Sequence, residues 1–153
     1  MVFMEETPGS VVGLLNDLIQ TDQDALEAYR NAATRLGDAN DRRDLEDLIR
    51  GTEDRLDRLA TWVTRLGGST PSRRNFEAKL AGGVVAASAW FGHRPLWGSI
   101  LAMVDRALEH YQRAVAHQGS PPEVMRLLQE GLDDQAAHRA WLQKRLATPR
   151  SSL

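Results

Sequence analysis

The 153-residue chain has no cysteine. That removes disulfide frameworks, thiolate zinc sites, iron–sulfur clusters and a cysteine nucleophile, and leaves His and carboxylates to build any metal site. Charge of one sign is lacking too: 19 basic against 21 acidic side chains give a formal charge of −2, so a nucleic-acid partner is not expected. The N-terminus, Met1-Val-Phe-Met-Glu-Glu-Thr-Pro8, carries two acids where a secretory signal has a basic region, and a cytoplasmic location is expected. No apolar run reaches the ~20 residues that span a bilayer. The most apolar stretch, Leu80 to Phe91, is shorter; Arg73, Arg74, Lys79 and Arg94 beside it read as a solvated helix edge, so membrane contact is not expected. Phosphate loops and nucleophile elbows are missing as well: Gly82-Gly83 has no Lys-Ser/Thr sequel, and no Gly-x-Ser-x-Gly occurs.

What is present is helical periodicity, in four segments, with no run of strict alternation to suggest a strand. The first runs from about Ser10 to Leu36, with Leu14, Leu15, Leu18, Ala25, Tyr29 and Ala32 on one stripe and Gly37 as its stop. The second starts near Asn40 or Asp41, carries Leu45, Leu48, Leu56, Leu59 and Val63, and ends at Gly67-Gly68. The third begins near Pro95 and continues through Trp97, Ile100, Val104, Leu108 and Tyr111 to Gly119. In the fourth, Ser120-Pro-Pro-Glu123 predicts a capping box, and the helix runs to about Ala147.

Short links make two antiparallel hairpins, and the stretch 67–94 between them is long enough to run the length of a bundle. Within it, Phe76 to about Trp90 predicts a further short helix. One long crossover between two hairpins is the ferritin-like connectivity, so the expected fold is an all-α four-helix bundle over 10–147, with tails at 1–9 and 148–153. The hairpins also repeat: Ala25-Leu-Glu-Ala-Tyr-Arg-Asn-Ala-Ala33 matches Ala107-Leu-Glu-His-Tyr-Gln-Arg-Ala-Val115 at an offset of 107 − 25 = 82. Small residues at Ala78, Gly82 and Ala86 suit close helix approach, and the crossover over 78–91 is the expected contact for a homodimer or other self-association.

Leu15-Asn16 followed by Asp22 and Tyr29, Leu66-Gly-Gly68, Asp105 ahead of Ala107-Leu108 and Tyr111, and Pro121-Pro-Glu-Val124 leading to Ala137-His138 resemble a bacterial family of ferritin-like proteins. The resemblance covers Leu14 to Leu146. It implies the bundle fold and an association with stress responses among some relatives, and brings no agreed biochemical activity.

A di-iron bundle takes a carboxylate from each of two helices and a Glu-x-x-His pair from each of the other two. On a helical wheel Asp22 lies within about 40° of Leu18, Ala25 and Tyr29 together, so it faces the core, whereas Glu27 lies about 140° away. The resemblance selects Asp22 as well, seven residues before Tyr29. It places the Glu-x-x-His positions at Glu53 to Leu56 and Gln135 to His138, and the remaining carboxylate position at Val104. The offset of 82 pairs Asp22 with Val104, Glu53 with Gln135 and Leu56 with His138. Asp22, Glu53 and His138 therefore remain of six ligands, with Gln135 as a weak neutral donor, and two carboxylates cannot neutralise two iron ions in a low-dielectric core.

Two readings of these residues stay open. Either they are leftover polar groups, with a protonated His138 paired to Asp22 or Glu53 and with Gln135, Tyr29 or Tyr111 completing the hydrogen bonds, or they hold a single Fe, Mn or Zn ion. The expected function is a non-catalytic bundle, structural or assembly-related and stress-linked, with no cofactor. The alternative is a mononuclear metal-binding protein with oxidoreductase activity. His93, His110 and His117 are expected on the surface without a role.

Overall fold

The computed structural model describes residues 10–71 and 93–147. Four α-helices account for nearly all of them: α1 (Val11–Arg35), α2 (Ala39–Arg65), α3 (His93–Ala116) and α4 (Pro122–Ala147). No strand occurs among the described residues. The expected helix over 76–90, the expected self-contact over 78–91 and both tails lie outside them.

Each helix end has a local cause. Ser10 caps α1 by accepting the Gly13 N–H at 2.9 Å, and Asp38 caps α2 by accepting from Asn40 and Asp41 at 2.9 and 3.0 Å. Helix α1 stops because Leu36 turns extended (φ −87°, ψ 128°) and not through a left-handed Gly37. Helix α2 closes in a Schellman motif: Gly68 N–H donates to the Val63 carbonyl and Gly67 N–H to Thr64, with Gly67 at φ 87°. The start of α4 differs from expectation. The helix opens at Pro122, its first bond is accepted by the Pro121 carbonyl, and the buried Ser120 hydroxyl has no partner. Two successive prolines hold the residues before them extended, so the helix begins too late for Ser120 to cap it.

The core divides into two apolar clusters. One joins Leu15, Leu18 and Ile19 of α1 to Leu59 and Val63 of α2, Tyr111 and Ala114 of α3, and Val124 to Leu128 of α4. The other joins Ala25 to Leu36, Leu45, Leu96 to Val104 and Leu142. Reading the clusters along each helix gives the topology. Helices α2 and α3 both run from the second cluster toward the first, so the chain leaving α2 must return the length of the bundle before α3 begins. The neighbours are α1–α2, α3–α4, α1–α3 and α2–α4. No described helix is long and apolar enough to cross a membrane.

Candidate functional site at the bundle centre

Between the two apolar clusters lies a buried polar layer. Asp22 is fully buried on α1, as its wheel position predicts. Facing it from α2 is Arg55, only 3% exposed. Arg55 Nε donates to Asp22 Oδ2 at 3.1 Å and to the Tyr111 hydroxyl at 3.0 Å; Tyr111 in turn donates to the same Oδ2 at 2.6 Å. Arg55 Nη1 reaches Asp134 Oδ2 on α4 at 2.9 Å, and the guanidinium carbon lies 5.5 Å from the centre of the Tyr111 ring. Three helices thus hold one cation in place. The Tyr111 ring fits because Gly131 stands opposite: a Cβ there would overlap it.

The electrostatics follow from this geometry. Burial works against the Arg55 charge, but Asp22, Tyr111 and Asp134 together more than offset that and hold its pKa above the ordinary value. Burial and then the Asp22 charge push both Tyr29 and Tyr111 upward, so both phenols stay protonated. His138 moves the other way, from 6.5 to about 4, through burial and then the Arg55 charge. His138 is therefore neutral at pH 7, and the expected protonated His138 paired to an acid is replaced by Arg55.

The predicted site residues do not all meet. Asp22, Gln135 (1% exposed) and most of His138 face inward. Glu53 does not: its side chain is 45% exposed and pairs with Arg30 at 2.5 Å. It lines a cleft of about 430 Å³ on the α1–α2 face with Gln23, Glu27, Arg30 and Asp57. The inward stripe of α2 is centred on Leu45, Thr52, Leu59 and Val63, which puts Arg55 at its edge and turns Glu53 away. The second buried acid is Asp41, paired with Arg145. Leu56 is half-buried and Val104 fully buried, each apolar where the resemblance places a ligand.

Several atoms of this layer are buried with no partner: Asp22 Oδ1, Tyr29 OH, Arg55 Nη2, Gln135 Oε1 and His138 Nδ1. The repeat explains Tyr29. Its counterpart Tyr111 donates to Asp22, and the residue equivalent to Asp22 is Val104, which cannot accept. A pair of iron ions does not fit this donor set: one inward carboxylate, already bonded to a resident cation, faces a neutral amide and a neutral imidazole. Among the described residues no group of three or more His, Asp or Glu side chains is placed to hold a metal ion.

His110 is half-buried and not a free surface residue. Its Nδ1 lies 2.6 Å from Thr21 Oγ1, whose proton goes to the Asp17 carbonyl at 2.9 Å, so the imidazole is the donor of that pair. Burial, then Arg113 and Arg106, lower its pKa against the opposing pull of Asp17 and Glu109.

Comparison with known proteins supports the architecture. Residues 10–117 match the family described as "Domain of unknown function (DUF2383)"; the stretch ends before α4, so Gln135 and His138 lie beyond it. A search of curated proteins returns no match. Among solved structures, a two-domain protein with DJ-1/ThiJ/PfpI-like and ferritin-like domains from Anabaena variabilis is similar over 95% of this chain, with 17% identity and a TM-score of 0.70. The chain spans 41% of that protein's length. A point mutant of Dps1 from Mycobacterium smegmatis is similar over 94% of this chain and 99% of its own, with 12% identity and a TM-score of 0.75.

Proposed function

This chain belongs to the DUF2383 family and has a ferritin-like fold, and from that premise we propose that it works without catalysis, as a structural or assembly protein with a stress-linked role. The observation that supports this reading is the inward donor set. Where a pair of iron ions needs four carboxylates, the described centre offers Asp22 alone, with Glu53 turned to solvent. The bundle is then held by packing and an internal ion pair, with metal playing no part in its stability. Metal analysis of protein purified without chelator tests this directly. Substoichiometric metal is expected; one tightly held ion per chain, lost in Asp22→Ala and His138→Ala, would overturn it.

Self-association is part of the same reading. Light scattering of the purified chain is expected to give a mass of two or more chains, and a monomer at every concentration would remove that part. The second reading, a single Fe, Mn or Zn ion supporting oxidoreductase chemistry, draws on one observation: Asp22 Oδ1, Gln135 Oε1 and His138 Nδ1 are buried without partners. Those atoms would be its ligands.

A further inference from the structure

We infer that Arg55 is a built-in cation that keeps divalent ions out of the bundle centre, and that the centre takes one such ion once the guanidinium is removed. The inference rests on the metal-free reading above and supplies its cause: a site blocked by charge as well as short of ligands.

Two features carry it. The first is how firmly the cation is placed. Arg55 is bound to Asp22 on α1, to Tyr111 on α3 and to Asp134 on α4, so its charge cannot swing out to solvent and leave the centre free. The single negative charge of Asp22 is already matched, and a divalent ion beside a buried guanidinium would meet repulsion that no second inward carboxylate offsets. The second is what surrounds it. Asp22 Oδ1, Gln135 Oε1 and His138 Nδ1 are buried and make no hydrogen bond. Native proteins rarely leave such atoms without a partner. A carboxylate oxygen, an amide oxygen and an imidazole nitrogen are the donor types that suit Zn or its neighbours in the first transition row. Gln135 and His138, three residues apart on α4, share one helical face. Removing the guanidinium would leave an unneutralised carboxylate and the space in which a cation could reach it.

The test is a Co²⁺ titration followed by visible absorption, with thermal melting alongside, on the wild-type chain, Arg55→Ala and Arg55→Gln. The glutamine variant retains a hydrogen-bond donor toward Asp22 and Tyr111 while deleting the charge. We expect no bound Co²⁺ and an unchanged Tm in the wild type. The variants should bind one Co²⁺ per chain, melt higher when loaded, and lose the ion when His138→Ala is added. Stoichiometric Co²⁺ in the wild type, lost in Asp22→Ala and His138→Ala, overturns both this inference and the metal-free reading. A folded Arg55 variant that takes no Co²⁺, or takes it irrespective of His138, overturns the inference alone. So does a variant that remains unfolded in excess Co²⁺, because the ion would then have failed to replace the guanidinium.

Discussion

Tyr29 and Tyr111 stand at equivalent positions of the two hairpins, 111 − 29 = 82 residues apart, and both are fully buried. Their hydroxyls meet opposite fates. Tyr111 donates to Asp22 and accepts from Arg55, while Tyr29 has no partner. The difference lies in what faces each phenol: Asp22 opposite Tyr111, and, by the same repeat, Val104 opposite Tyr29. The aromatic bodies fill the core of both halves alike, but a buried hydroxyl contributes only where an acceptor faces it. Apolar packing therefore keeps the two hairpins similar, while the polar network that joins them forms at only one of the two equivalent tyrosines.

The largest effect comes from breaking the ion pair that creates this asymmetry. Asp22→Ala leaves the buried Arg55 with the half-exposed Asp134 as its one acidic partner, and should cost about 3–5 kcal/mol in urea unfolding. Acid probes the same layer through His138. Its pKa falls from 6.5 to about 4 on folding, so the unfolded chain binds more protons between those values. Stability complete above pH 6.5 is lost as the pH drops through 4, by at most about 3 kcal/mol, and His138→Gln should flatten that part of the profile.

Gly131→Ala sharpens the comparison from the packing side. The new methyl pushes on the Tyr111 ring and should cost about 1–3 kcal/mol by overpacking, against a gain of about 1 kcal/mol in helix propensity, a net loss visible as a lower Tm. The smallest effect belongs to the acid outside the centre. Glu53→Gln removes an exposed pair with Arg30 and should change stability by less than about 1 kcal/mol.

Much of the fold is legible in the sequence because its signals are local. The cap at Ser10, the glycine pair ending α2 and the 3.6-residue stripes each act within a few residues, and the 67–94 link is long enough to allow two helices that run the same way. Asp22 is legible because Leu18, Ala25 and Tyr29 bracket it on one stripe. Glu53 misleads because the resemblance alone places it in the site; on the helical wheel it lies about 100° from the centre of the stripe of Leu45, Thr52, Leu59 and Val63. The true stripe runs through Thr52, Arg55 and Leu59 at spacings of three and four, so the signal for Arg55 is present. It is hard to credit without knowing that Asp22 lies across from it, since a lone arginine is rarely buried unless paired. The late start of α4 depends on what two prolines do to Ser120, which a capping pattern does not encode.

The most direct measurement compares Tyr111→Phe with Tyr29→Phe in equilibrium unfolding. Each removes one oxygen from a fully buried ring of the same kind, so packing nearly cancels. Tyr111→Phe should cost about 1.5–3 kcal/mol, the range for a hydrogen bond to a charged group, while Tyr29→Phe should be neutral or stabilising. Equal losses, or a larger loss at Tyr29, would contradict a polar centre formed at only one of the two repeat-related tyrosines.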